Sequence, residues 1–189
     1  TGPAFPKGQP NAARRDSYPA SGGKPGSDLS FMQNQHLNPN NVQLGVLNPL
    51  QCAQGVQNQD FSAAYCNAVN QWQVEQWTSK DPRLKASLMV PYEDPLASVK
   101  EIEKWAGNKN FVQILLLSRT AEPLGQRKYW PIYEAACKAN LPVAVHAFGY
   151  GGAPVTGGGW PSFYIEEMVG HAQNTQSLLT SMVIEGVFE

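Results

Sequence analysis

The side chain in the best position to do chemistry is His146. It closes the apolar run Leu141-Pro142-Val143-Ala144-Val145-His146-Ala147-Phe148-Gly149 and stands just before a glycine-rich stretch. A neutral imidazole at the end of a buried strand can bind a metal or move a proton, and it can equally be a hydrogen-bonded core residue. Arg119 ends another apolar run, Phe111 to Leu117 followed by Ser118, and should share a sheet face with His146. Its guanidinium could grip a substrate carboxylate through paired hydrogen bonds, or simply answer Glu122 at the surface. His171 follows Gly170 where a helical pattern is expected to break, which suggests a structural role, with substrate contact as the alternative. His36 belongs to a polar stretch and should be exposed, and Glu166 and Glu167 read as the solvated face of a helix. No HxH, HExxH or DxH pair occurs, so the chain does not itself supply the ligands of a closed zinc site.

Several other chemistries drop out. Gly149-Tyr150-Gly151-Gly152 follows a strand, but Pro154 stands where a dinucleotide fingerprint needs its third glycine, and no helix is expected before about residue 161 to receive a pyrophosphate. The glycines of 151–159 read as a rim or lid over a site, or as plain loop. Fourteen Lys and Arg against fifteen Asp and Glu give a net charge of -1 with no basic cluster, which argues against a nucleic-acid partner. Cys52, Cys66 and Cys137 share no metal-site spacing and read as reduced packing residues. No run approaches the roughly 18 apolar residues of a membrane helix, and no leader pattern opens the chain, so a soluble cytoplasmic protein without a membrane partner is expected.

The elements that must position these residues alternate. Residues 1–41 are rich in Pro, Gly, Asn, Ser and Gln and read as an irregular lead, with Asp28 able to cap a short turn over Leu29 to Met32. Residues 42–189 carry the α/β pattern. Strands are predicted at Val42–Leu47, Leu84–Val90 and Phe111–Leu117, with a fourth in the run from Leu141 that has His146 at or near its carboxyl end. A helix capped by Asp60 should run to about Ser79, with Phe61, Tyr65, Ala68 and Trp72 facing inward. Asp94-Pro95 starts a second helix, with Leu96, Val99, Ile102 and Trp105 inward and Gly107 ending it. A third spans about Tyr129 to Ala139, with Ile132, Tyr133, Ala136 and Cys137 inward and Asn140 as a left-handed cap. Two more helices are expected at Ser162–Val169 and Thr175–Phe188, the latter facing inward through Leu178, Leu179, Met182 and Val183. Such β-α alternation calls for parallel strands joined by right-handed crossovers. A small doubly wound sheet and about half of an eight-stranded barrel both satisfy it.

Arg14-Arg15-Asp16, Gly26-Ser27-Asp28-Leu29, Arg127-Lys128-Tyr129-Trp130-Pro131-Ile132-Tyr133-Glu134-Ala135-Ala136 and Leu141 to Ala147 together resemble the amidohydrolase-related family, in its aminocarboxymuconate-semialdehyde decarboxylase-like branch. Ser181 to Glu189 resembles the helix that leads into that family's sixth strand. The resemblance implies a partial (β/α)8 TIM barrel holding strands two to five of eight. It also implies a divalent metal, zinc as a rule, at the carboxyl ends of the strands, with hydrolysis or decarboxylation of a small organic substrate that bears a carboxylate. On that match His146 is the metal ligand at the end of the fifth strand, and the remaining ligands fall outside this chain. The chain begins at Thr1 without Met and stops at Glu189 without a helix stop signal, so the expectation is a piece of a longer enzyme, inactive alone and prone to self-association. The competing expectation is a non-catalytic α/β binding or scaffold domain in which His146 is structural.

Overall fold

In the computed structural model, residues 15–49, 52–149 and 159–189 are described. Arg14 of the family resemblance and the rim or lid expected over 151–158 lie outside them, as do the side chains of Arg15, Cys52 and Phe148.

The lead is less irregular than its composition suggested. Asp28 caps helix α1 (Leu29–Met32) by accepting from the Phe31 amide at 2.9 Å. The chain continues through a wider π-type turn, Gln33–Leu37. Leu37 is buried and packs with Trp77 and Leu84, so tertiary burial of one leucine stabilises helix in a stretch whose composition favours loop. Strand β1 is short, Gly45–Leu47, because Val42 to Leu44 are left without a partner strand. Helix α2 spans Gln59–Gln73 and runs into a π-type turn, Val74–Thr78. Asn58, not Asp60, caps it, accepting from the Phe61 amide. Asp60 sits in the first turn, where a carboxylate complements the helix dipole.

Strand β2 (Leu84–Met89) leads to helix α3 (Pro95–Trp105), capped by Asp94 with Pro95 in its first turn. Gly107 takes the left-handed conformation, φ +77°, that ends the helix. Strand β3 (Phe111–Arg119) runs two residues further than predicted, to Arg119 itself. Helix α4 (Trp130–Ala139) follows a single 3-10 turn, and Asn140 caps it at φ +53°. Strand β4 is Val143–Gly149. Helix α5 runs unbroken over Tyr164–Ile184, straight through Gly170-His171. Mid-helix glycine costs only about 1 kcal/mol, which continuous packing of Glu167, Gly170 and Leu178 outweighs.

All four strands are parallel, in the spatial order β1-β2-β3-β4. Successive right-handed crossovers in one direction set every helix on the same face. A doubly wound sheet would reverse order and cover both faces. Ala86, Leu88, Ile114, Leu116, Val143 and Val145 point to the helix layer, where Ile102, Ile132, Ala135 and Ala136 meet them. The opposite face carries Ser87, Gln113, Leu115 and Leu117, and on it Ser87 Oγ and Gln113 Nε2 both donate to Asn48 Oδ1. That concave, partly polar face is the inside of a barrel wall.

The periodic apolar residues of α2 do not face inward as predicted. Phe61 and Trp72 are about half exposed, and the buried positions are Ser62, Cys66, Asn70 and Gln73. The reason is the edge of β2. Strand β1 stops opposite Ala86, which leaves the next peptide groups of β2 without a neighbour. Asn70 takes that place, donating to the Met89 carbonyl at 2.8 Å and accepting from the Met89 amide at 2.9 Å. Gln73 donates to the Ser87 carbonyl, and Gln54 to the carbonyls of Val90 and Leu115. Buried backbone groups need partners, and here satisfying them decides which helix face turns in. Leu96, Cys137, Leu179 and Val183, all predicted to be inward, are exposed as well.

Candidate functional site

The carboxyl ends of β2, β3 and β4 form one rim. Leu117 lies opposite His146 in the β3–β4 register, and Arg119 lies opposite Gly149, with one extra residue on β4 between the two pairs. A strand-end irregularity of this kind re-aims side chains next to a site. His146 is half-buried, and its Nδ1 lies against the carbonyl oxygen of Ala147. A carbonyl only accepts, so in the neutral ring Nδ1 carries the proton and Nε2 keeps the lone pair. This is the tautomer a metal-binding or proton-accepting imidazole requires at Nε2. Among the described residues no three His, Cys, Asp or Glu side chains come together to hold a metal ion. An imidazole held this way is chemically able to offer Nε2 to a metal.

Glu93, which follows β2, ties the rim together. Its Oε1 accepts from the Ala121 amide at 2.7 Å, and its Oε2 from Lys128 Nζ at 2.6 Å. The Tyr129 hydroxyl donates to the same carboxylate at 3.2 Å. Tyr129 is fully buried and also receives the Glu122 amide. Burial first, and the Glu93 charge second, push its phenol well above the usual tyrosine range, so it serves as a neutral donor at every physiological pH. Lys128 lies 3.8 Å from Glu122, which is the carboxylate considered above for Arg119.

Helix α5 closes the rim on the β4 side. Asn174 donates to the Ser118 carbonyl at 2.7 Å, next to Arg119, and the Gly125 amide donates to Ser181 Oγ. A turn before Asn174, His171 Nε2 lies 3.4 Å from Glu167 Oε1, with both side chains largely buried. Glu167 is therefore not part of a solvated face. Glu166 is exposed, and it accepts from the Ser162 and Phe163 amides to cap the helix start. His36 is exposed, as its polar surroundings predicted. Sequence reasoning gave no site role to Glu93, Lys128 or Tyr129, and it read Glu167 as solvated. Only their places beside strand ends and a helix start could have flagged them, since their contacts reach 28 to 36 residues or across a helical turn.

A parallel wall with sequential strand order, all helices outside and its polar side chains inside, is half of a (β/α)8 barrel. The chain belongs to the amidohydrolase family, whose model matches residues 12–189. Among solved structures it resembles 2,6-dihydroxybenzoate decarboxylase from Rhizobium, with a TM-score of 0.67, 15% identity, and 85% of this chain against 52% of that one. A dihydroxybenzoic acid decarboxylase from Polaromonas sp. JS666, solved with bound manganese and the inhibitor 2-nitroresorcinol, gives a TM-score of 0.58 at 18% identity, covering 82% of this chain and 48% of that one. A protein described as amidohydrolase II gives a TM-score of 0.66 at 15% identity, with 98% and 57% covered. The chain spans about half the length of these structures. No curated protein matches the sequence.

Proposed function

We propose that the chain supplies one half of the active-site wall of an amidohydrolase-type enzyme acting on a small organic carboxylate, by metal-dependent hydrolysis or decarboxylation. The observation that carries this reading is the imidazole of His146 in the carboxyl half of β4, held by Nδ1 so that Nε2 keeps its lone pair. His146 Nε2 would bind a divalent cation, zinc or manganese, together with ligands from beyond these four strands. Manganese gains weight from the Polaromonas structure, and loss of CO2 from the neighbours described as decarboxylases. When bound, such a cation polarises a substrate oxygen and activates water as a Lewis acid. Arg119 would hold the substrate carboxylate through two parallel N–H···O bonds, and His171 would contact the substrate from α5.

Replacing His146 separates the enzyme from a scaffold in which the ring only packs. In the complete natural chain loaded with manganese, His146→Ala should weaken metal binding by more than the 10- to 100-fold typical of second-shell changes, with the thermal midpoint nearly unchanged. Metal content is read by mass spectrometry. Full retention of metal, or a lowered thermal midpoint as the sole effect, would refute the ligand role.

A further inference from the structure

Glu93 belongs to neither the metal site nor the substrate clamp, yet three donors from a single connection converge on it. The Ala121 amide, Lys128 Nζ and the Tyr129 hydroxyl all lie between the end of β3 and the start of α4. Glu93 itself follows β2 and stands beside Asp94, the cap of α3. One carboxylate thus fastens the neighbouring strand's loop at its beginning and its end. The three donors also suit a carboxylate, since the ammonium brings charge, the Tyr129 hydroxyl is fully buried, and the Ala121 amide adds a short neutral bond at the exposed edge.

The opposite side of the same loop is held by α5. Ser118 accepts from Asn174, Gly125 donates to Ser181, and Gln126 donates to Glu185 at 3.0 Å. Only Arg119 and Thr120 separate the Ser118 and Ala121 anchors. The backbone that carries Arg119 is therefore fixed on both sides, from β2 by Glu93 and from α5 by Asn174. A loop held this way presents its side chains in one geometry before any ligand arrives, which lowers the ordering cost of binding.

We infer that Glu93 is a positioning residue: it sets the β3–α4 connection, and through it the aim of Arg119 at the mouth of the site. This rests on the reading of Arg119 as the carboxylate clamp, and the test separates the two. The complete natural chain, loaded with manganese, is titrated calorimetrically with 2,6-dihydroxybenzoate as probe in a double-mutant cycle. Arg119→Ala should weaken binding about 30-fold and Glu93→Ala about 10-fold, while the double variant should lose little beyond about 30-fold, because coupled residues are not additive. Manganese affinity should stay unchanged throughout. If Glu93→Ala does not fold, Glu93→Gln takes its place in the cycle, since it removes the charge that holds Lys128.

Additive losses, near about 300-fold in the double variant, would overturn the positioning role while leaving Arg119 as a clamp. A silent Arg119→Ala would overturn the clamp, and the positioning role with it. Hydrogen exchange of the free protein gives a readout independent of any ligand. Amides of 119–126 should exchange at least about 10-fold faster in Glu93→Ala, with those of β2 unchanged. Unaltered exchange there would also overturn the inference.

Discussion

Asn70 offers the sharpest test of how this wall is held together. Its side chain satisfies both the amide and the carbonyl of Met89 and donates to Glu101 Oε1 at 2.9 Å, all in a fully buried setting. Asn70→Ala leaves two backbone groups without partners, each costing about 1–3 kcal/mol, and removes a hydrogen bond to a charged group worth about 1.5 kcal/mol more. The expected loss is about 3.5–7.5 kcal/mol, a large part of the roughly 5–15 kcal/mol that holds a typical domain folded. With a urea dependence of about 2 kcal/mol per molar, the unfolding midpoint should fall by about 1.8–3.8 M. Asn70→Asp should do no better at neutral pH, because it cannot donate to the Met89 carbonyl and sets a second carboxylate beside Glu101. Equilibrium urea unfolding followed by circular dichroism reads both variants. A midpoint within about 0.5 M of the parent would refute the idea that side-chain amides stand in for a strand along the β2 edge.

Two further outcomes concern the ends of the wall. Asp81 is buried and accepts from Arg83 Nε and Nη2, from the Arg83 amide and from Gln33, and chiefly the Arg83 hydrogen bonds hold its carboxyl well below the usual range. Its folded pKa is lowered, so its stabilisation is present above the ordinary aspartate pKa of about 3.9 and fades as pH falls from there toward the folded value. Asp81→Asn should cost about 1–3 kcal/mol at pH 7, and the gap in thermal midpoint from the parent should narrow below about pH 4. A gap constant from pH 7 to 3 would contradict this. At the other end, a Cβ on Gly125 would overlap the Ser181 carbonyl of α5. Gly125→Ala should therefore cost about 1–3 kcal/mol by overpacking and raise hydrogen exchange in α5, and an unchanged thermal midpoint would show that the helix shifts freely.

The rim that holds Arg119 explains why these ends matter to the site. Glu93 reaches it from β2, and Asn174 and Ser181 reach it from α5, so the geometry of one strand end depends on elements before and after it. Destabilising either anchor should be felt at the mouth of the barrel sooner than in the helix layer.

The sequence by itself determined the alternation and much of its punctuation. Continuous apolar runs placed β2, β3 and β4, and Asp94-Pro95, Gly107 and Asn140 marked helix ends, because caps and left-handed turns depend on local backbone chemistry. The strand that carries His146 was legible for the same reason, although β4 continues three residues past the histidine to Gly149, a length set by its pairing with Arg119 of β3. The similarity of Arg127 to Ala136 and Leu141 to Ala147 to one family was legible too, and it agrees with the family to which the chain belongs. Tertiary structure alone decided the rest. Periodicity turned Phe61 and Trp72 of α2 inward, whereas the unpaired edge of β2 draws in Asn70 and Gln73, a demand set by where a different strand stops. It likewise decided that Gly170 leaves α5 whole, that Glu167 is buried against His171, and that Glu93 gathers donors from another loop. Each of these follows from satisfying buried polar groups across long stretches of chain, and such partners have no local signature.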